Sequence, residues 1–137
     1  MSIEDKKRNL ALDRLQQAEE SLDEAKYLFD GRKSPRSVIN RAYYAMFYSI
    51  LALFIFEKYG SSKHSGVLSY FNSRFVKTGL IEKDLGRAVN KAFDLRQRGD
   101  YREAVDLRRE MVEPFLDQAR KFIDAVKNHL TNSGKIL

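Results

Sequence analysis

Apolar residues recur along most of the chain at the alternating three- and four-residue spacing of amphipathic helices. The first such run consists of Ala11, Leu15, Ala18, Leu22, Ala25 and Leu28. It predicts a helix from Ile3 to Phe29 that ends at Gly31, a residue that tolerates the left-handed C-terminal conformation. Ser34 is suited to an N-cap and Pro35 to a first turn, so a second helix is predicted from there to about Tyr59.

Three further helical patterns follow Gly60-Ser61-Ser62. Their apolar positions run from Val67 to Phe75, from Leu85 to Phe93 and from Val112 to Leu130, and Pro114 is expected in the first turn of the last helix or at a kink in it. Glycines fall mostly between the runs. We therefore predict an all-α fold, an antiparallel up-and-down bundle of four to five helices. It forms one domain over residues 1–130, with a frayed C-terminal tail over residues 131–137.

Composition narrows the class of protein. The chain has 137 residues, enough for one core, and no cysteine, which excludes disulfides and Cys-based zinc sites and favours a reducing compartment. We see no signal peptide, and the apolar run from Ala42 to Phe56 is shorter than the ~20 residues that cross a bilayer. A cytoplasmic protein without a membrane partner is expected. Its formal charge of +6 favours polyanionic partners.

The second helix carries the most informative chemistry. Arg41, Tyr43, Tyr44 and Tyr48 lie in a segment whose only other polar residue between Ala42 and Phe56 is Ser49. Such a helix must be enclosed by its neighbours, and each polar group in it needs a partner. The residues expected to be buried are Ala42, Met46, Ile50 and Leu53. Arg41 is expected either to pair with a carboxylate such as Asp94 or Asp100, or to contact a ligand.

Helix direction predicts where the charges gather. If successive helices alternate, the start of the first helix, the turn between helices 2 and 3, and the turn between helices 4 and 5 share one end of the bundle. That end would collect basic residues, with acidic residues between them. The basic residues include Lys6, Lys7, Arg8, Lys58, Lys63, His64, Arg96, Arg98 and Arg102. Lys33 and Arg36 would lie at the opposite end.

Four segments occur in a distinctive order, namely 40–47 (NRAYYAMF), 62–67 (SKHSGV), 75–79 (FVKTG) and 95–101 (LRQRGDY). Together they resemble the HEPN superfamily (higher eukaryotes and prokaryotes nucleotide-binding), and within it the small prokaryotic group UPF0332. The resemblance covers about residues 15–126. It implies a helical bundle that is usually a homodimer and is often encoded beside a minimal nucleotidyltransferase. Active members of the superfamily are metal-independent RNases, many of them toxins, with an Arg, four to six residues, then His motif at the dimer cleft.

Arg96 best matches the arginine of that motif, but Tyr101, Arg102 and Glu103 stand where the histidine would fall. Histidine matters because its pKa suits proton transfer near neutral pH, whereas arginine stabilises phosphorane charge without releasing a proton. The candidates for catalysis are therefore Arg96, His64 from the turn between helices 2 and 3, and Tyr101. The candidates for phosphate or RNA contacts are Arg41, Lys63, Arg96, Arg98 and Arg102. Tyr44 and Asp100 are expected to be structural polar residues, and no metal or cofactor is expected.

These observations favour a HEPN-like module that binds RNA or nucleotide phosphate at a basic dimer cleft without efficient catalysis. One alternative is a metal-independent RNase or toxin of a toxin–antitoxin pair. Another is an interaction protein that docks a minimal nucleotidyltransferase. A purely structural interpretation is also open, in which the tyrosines are core aromatics and Arg96 and Arg98 favour the negative end of their helix.

Overall fold

The computed structural model describes residues 1–61, 63–100 and 106–137, apart from the side chain of Asp100. The helices are α1 (Ile3–Asp30), α2 (Pro35–Phe54), α3 (His64–Phe71), α4 (Lys83–Asp100), α5 (Arg109–Val112) and α6 (Pro114–Asn132). A π-helical turn over Asn72–Val76 continues α3. No strand occurs within these ranges, so the predicted all-α class is confirmed.

The helix boundaries follow the local sequence. The hydroxyl of Ser34 accepts a hydrogen bond from the Ser37 backbone N–H at 3.2 Å, so Ser34 caps α2 as predicted. Pro114 lies in the first turn of α6, also as predicted. The end of α2 differs from the expectation of Tyr59, because the chain turns after Phe54 and stacks the ring of Tyr59 on that of Tyr70 at 4.4 Å.

The core surrounds α2. This helix packs against α1, α4, α5 and α6, and Ala42, Met46 and Ile50 are completely buried. Leu53 is 1% exposed, so the predicted core face of α2 is confirmed. Burial of apolar surface stabilises the fold by roughly 25 cal/mol per Å² removed from water, and α2 contributes buried residues along most of its length.

The four long helices α1, α2, α4 and α6 alternate in direction. Between α2 and α4, the aromatic ring of Tyr43 lies 5.7 Å from that of Phe93, while Gly99 packs on Arg36. Later residues of α4 therefore meet earlier residues of α2, which makes the two helices antiparallel.

The short helix α3 is the exception to this alternation. Its first residue, His64, stacks on Phe47 at 4.1 Å, and its later residue Tyr70 lies 5.1 Å from Phe54. Later residues of α3 therefore contact later residues of α2, so α3 runs in the same direction as α2. The connecting segment after Phe54 must consequently double back along α2.

The predicted grouping of charges at the two ends of the bundle is therefore wrong. Because α3 does not reverse direction, the C-terminal end of α4 lies beside the start of α2. Arg96 and Arg98 share an end of the bundle with Arg36 rather than with Lys58 or Lys6.

The last residues are held against the bundle, although the sequence favoured fraying from Thr131. Helix α6 continues to Asn132, and Gly134 then takes a left-handed conformation with φ of 74°. The backbone N–H groups of Lys135 and Ile136 donate to the Leu130 carbonyl at 2.8 and 3.3 Å. This C-terminal cap returns Ile136 to the core, where it is 6% exposed.

An ion-pair network joins α1 to α6. Two nitrogens of Arg120 donate to the two carboxylate oxygens of Glu19 at 2.6 and 2.7 Å, and Lys127 also contacts Glu19. The Arg120 hydrogen bonds, opposed by desolvation and assisted by Lys127, lower the pKa of Glu19 from 4.5 to about 2. The side chains stay partly exposed, so solvent screening limits the stabilisation to roughly 1–2 kcal/mol.

We predict that Glu19→Gln destabilises the protein by about 1–2 kcal/mol at neutral pH. A lowered carboxyl pKa stabilises the fold above the unfolded value of 4.5, and this stabilisation is lost as the pH falls through the folded value of about 2. The difference in the free energy of unfolding between wild type and variant should therefore shrink steadily as the pH falls from 4.5 to about 2 in urea unfolding experiments. Glu24→Gln, at an exposed position of the same helix, is the control. A difference that is independent of pH would contradict the assignment.

Candidate functional site

Two consecutive tyrosines of α2 organise the candidate site. Tyr43 is fully buried, and its hydroxyl forms a 2.8 Å hydrogen bond with Nδ1 of His64 at the start of α3. Burial raises the pKa of Tyr43, which keeps the phenol neutral. The ring of Tyr44 is half-buried and faces α4, where its hydroxyl accepts a hydrogen bond from Nη2 of Arg96 at 3.2 Å.

Packing around His64 fixes its orientation. Its ring lies 4.1 Å from that of Phe47 with an interplanar angle of 10°. Gly66 allows the preceding loop to close over the start of α3, because a Cβ there would lie 2.9 Å from both the Tyr59 hydroxyl and Oγ of Ser61. Burial, followed by the charge of Arg96, lowers the pKa of His64 below 6.5. The imidazole is therefore neutral at physiological pH and half-buried.

Arg96 spans both tyrosines. Its guanidinium carbon lies 5.4 Å from the ring centroid of Tyr43 and 5.1 Å from that of Tyr44, within the range of cation–π attraction. Its Nε is buried and has no hydrogen-bond partner in the ranges that the structure describes. A buried donor without a partner costs free energy, roughly 1–3 kcal/mol, so the site holds Arg96 at some expense of stability.

Arg41 approaches Tyr44 from its own helix. The Asn40 side-chain oxygen accepts hydrogen bonds from Nε and Nη2 of Arg41 at 3.2 and 3.0 Å. Its guanidinium carbon lies 5.1 Å from the Tyr44 ring centroid. Within the described chain Arg41 forms no ion pair, so the pairing with Asp94 predicted as one possibility is wrong. The side chain of Asp100, the other predicted partner, lies outside the description.

We name Arg41, Tyr43, Tyr44, His64 and Arg96 the tyrosine-pair site. Two guanidiniums contact one ring, so their charges lie on the order of one Debye length (~8–10 Å) apart or closer, and they repel each other. An anion placed between them would relieve that repulsion. The site thus combines two cations with a neutral imidazole, a combination suited to binding a phosphate and moving a proton beside it.

The other predicted site residues have different outcomes. Lys63 is exposed and directly precedes His64, where it could reach a ligand larger than one phosphate. Arg98 is exposed on α4 and does not contact the tyrosine-pair site in the described ranges. Tyr101 and Arg102 lie outside the described residues, as does the side chain of Asp100. The Tyr44 hydroxyl accepts the hydrogen bond from Arg96, and the Tyr44 ring forms a wall of the site.

Sequence reasoning missed Tyr43, Phe47 and Asn40 as site residues. Tyr43 and Phe47 were available from their four-residue spacing, which puts both rings on one face of a helix. Their ring centroids are 5.7 Å apart, and together they support the His64 ring. Asn40 could not have been recognised, because a neighbouring Asn and Arg do not normally face each other on a helix.

Comparison with known proteins defines the family. The model of the HEPN domain matches residues 11–129 of this chain. The chain belongs to the HEPN domain family.

Curated relatives cover most of the same length. A UPF0332 protein of Thermotoga maritima is 44% identical over 110 residues, 80% of this chain and 83% of the relative. A protein of Methanocaldococcus jannaschii named "Putative toxin MJ0605" is 38% identical over 113 residues, 82% of this chain and 83% of the relative. A second protein of that organism, "Putative toxin MJ0142", is 32% identical over 120 residues, 88% of this chain and 81% of the relative.

None of the described helices combines the length and the apolar character that crossing a bilayer requires.

We predict that the His64 imidazole titrates below pH 6.5 and that Arg96→Gln raises its pKa, because the substitution removes a nearby positive charge. Titration of the imidazole C–H signals by NMR measures both values. His129 provides an internal control, since burial and Arg74 lower its pKa at a different place in the bundle. An unchanged His64 pKa in Arg96→Gln would show that the two groups are not electrostatically coupled.

Proposed function

We propose that this HEPN protein binds the phosphodiester backbone of RNA at the tyrosine-pair site. The observation that carries the proposal is the placement of two guanidiniums, Arg41 and Arg96, on the ring of Tyr44. Neither arginine forms an ion pair with a carboxylate in the described chain, and guanidinium groups suit phosphate oxygens. The toxin names of two relatives and the formal charge of +6 support a polyanionic target.

RNA fits this arrangement because the site lies along the half-buried outer side of α2. Tyr44 and Tyr48 both belong to that side, with ring centroids 5.7 Å apart, and offer aromatic surface next to the cations. Single-stranded nucleic acid is commonly held by cations that track the backbone and by aromatic rings on which bases stack. The same side of α2 could pack on a second copy of the chain. The homodimer and the nucleotidyltransferase partner remain predictions.

A second candidate function, metal-independent RNA cleavage, is favoured by the position of His64. The missing histidine of the Arg96 motif led us to expect inefficient catalysis. The structure brings a histidine to Arg96 from the start of another helix, through the Tyr43 and Tyr44 pair. In the tautomer whose Nδ1–H donates to the Tyr43 hydroxyl, Nε2 carries a free lone pair and can act as a base.

Such a reaction would proceed by intramolecular attack. Nε2 of His64 removes the proton of the RNA 2′-hydroxyl, and the 2′-oxygen forms a bond to the adjacent phosphorus. The bond from phosphorus to the 5′-oxygen breaks, and that oxygen takes a proton from the imidazolium, giving a 2′,3′-cyclic phosphate and a free 5′-hydroxyl. Arg96 and Arg41 stabilise the charge that develops on the phosphorane oxygens. A neutral resting imidazole suits the first step.

We predict that Arg96→Gln weakens binding of a short single-stranded RNA roughly tenfold at low salt and reduces the salt slope by about 0.7, because one phosphate contact is lost. Fluorescence anisotropy at two salt concentrations measures both effects. Lys83→Gln is the control, since Lys83 is an exposed cation at the other end of the same helix. Equal losses in the two variants would remove the site assignment and leave only non-specific attraction.

We predict for the second candidate that His64→Gln abolishes any RNA cleavage by the purified protein but reduces RNA binding by less than about threefold. The substrate is an end-labelled RNA, and the diagnostic product is a 2′,3′-cyclic phosphate. His129→Gln is the matched control, a half-buried histidine outside the tyrosine-pair site. Cleavage that survives in His64→Gln, or that is lost equally in both variants, would exclude His64 as the base.

A further inference from the structure

An open groove continues from the tyrosine-pair site toward the start of α2. It has a volume of about 410 Å³ and is lined by Leu28, Arg36, Ser37, Asn40 and Arg41. We name it the Arg36 groove. Arg41 belongs both to this groove and to the tyrosine-pair site, so the two surfaces are continuous.

Packing against α4 holds the base of the Arg36 side chain in place. A Cβ on Gly99 would lie 3.1 Å from Cγ and 3.7 Å from Cβ of Arg36, so the missing side chain of Gly99 lets the arginine stem cross α4. Gly99 is one helical turn beyond Arg96. The Arg36 stem therefore meets α4 about one turn beyond Arg96.

Arg41 links the other two arginines, because it lines the groove with Arg36 and lies over the Tyr44 ring with Arg96. Arg36 is exposed and has no ion-pair partner among the described carboxylates. Ser37 and Asn40 add polar side chains between the cations. Neutral and cationic groups therefore line the mouth of the groove, while Leu28 supplies its apolar wall.

Arg36 extends the cationic surface beyond the tyrosine-pair site. It is five residues before Arg41 on α2, about 7.5 Å along the helix axis, and both residues line the groove, whereas only Arg41 also contacts the Tyr44 ring. A single phosphate at Arg96 would not extend along the whole of this surface.

We propose that the Arg36 groove is a second phosphate subsite, which binds a backbone phosphate of a single-stranded RNA other than the one held at Arg96. The inference rests on the proposed function and deepens it. It assigns the groove to an extended RNA strand rather than to a mononucleotide, and it assigns Arg36 to ligand binding. The minimal tight ligand is then an oligonucleotide with more than one phosphodiester.

The test compares two single-stranded 2′-O-methyl RNAs, which cannot be cleaved by attack of the 2′-oxygen: a dinucleotide with one phosphodiester and a hexanucleotide of the same base. The unmodified protein should bind the hexanucleotide more tightly. Arg36→Gln should weaken hexanucleotide binding roughly three- to tenfold, lower its salt slope by about 0.7 and leave dinucleotide binding unchanged. Arg96→Gln should weaken both. Arg32→Gln is the matched control, an exposed arginine at the same end of the bundle and outside the groove lining.

Each contrary outcome has a distinct meaning. If Arg36→Gln and Arg32→Gln weaken hexanucleotide binding equally, the groove is not a subsite, and the proposed function survives through Arg96. If Arg36→Gln weakens both RNAs by the same factor, Arg36 contacts the first phosphate and the second subsite is refuted. If the unmodified protein binds neither RNA, both the inference and the proposed function fail.

Discussion

The hydrogen bond between the Tyr43 hydroxyl and His64 is the interaction on which the arrangement of the site depends. Tyr43 lies on the most buried helix, and a buried hydroxyl left without a partner would cost roughly 1–3 kcal/mol. The partner comes from the first residue of α3. To supply it, the segment after Phe54 must turn back along α2, and α3 must then run parallel to that helix. The direction of α3 in turn decides which end of the bundle α4 reaches.

The functional consequence is that three helices meet at one pair of tyrosines. Arg96 of α4 and Arg41 of α2 both contact the Tyr44 ring, and the ring of His64 from α3 meets that of Tyr44 edge-on, with centroids 5.8 Å apart. Two cations that share one aromatic ring and form no ion pair in the described chain attract an anionic ligand. The ion pairs that stabilise the fold, centred on Glu19 and Arg120, lie between α1 and α6 and leave this site free of carboxylate competition in the described chain.

Much of the fold could be predicted from the sequence because its signals are local. Helix periodicity, the Ser34 cap and the Pro114 start depend on neighbouring residues, and the structure confirms them. The grouping of charges at the ends of the bundle could not be predicted in this way. It depends on the direction of an eight-residue helix, and the turn that sets this direction is fixed by long-range contacts, such as Tyr59 with Tyr70.

The candidate site shows the same division between local and long-range information. The resemblance pointed to Arg96, and the unusual arginine and tyrosines of α2 were visible as residues needing partners. His64 was named as a candidate because it was expected to enter from the turn between helices 2 and 3, although a search for histidine at a fixed distance after Arg96 does not find it. Only packing brings the two together. Arg96 and Arg98 were assigned to the wrong end of the bundle for the same reason, whereas Arg36 lies at the predicted end.

The central claim is that the tyrosine pair gathers Arg96, Arg41 and His64 into one phosphate-binding site. The most direct measurement is the NMR titration of the His64 imidazole in the unmodified protein with and without a saturating 2′-O-methyl RNA hexanucleotide. A bound phosphate beside the ring favours the imidazolium, so the His64 pKa should rise by about one unit while that of His129 stays constant. RNA that binds without changing the His64 pKa, or that shifts both histidines equally, would contradict this account.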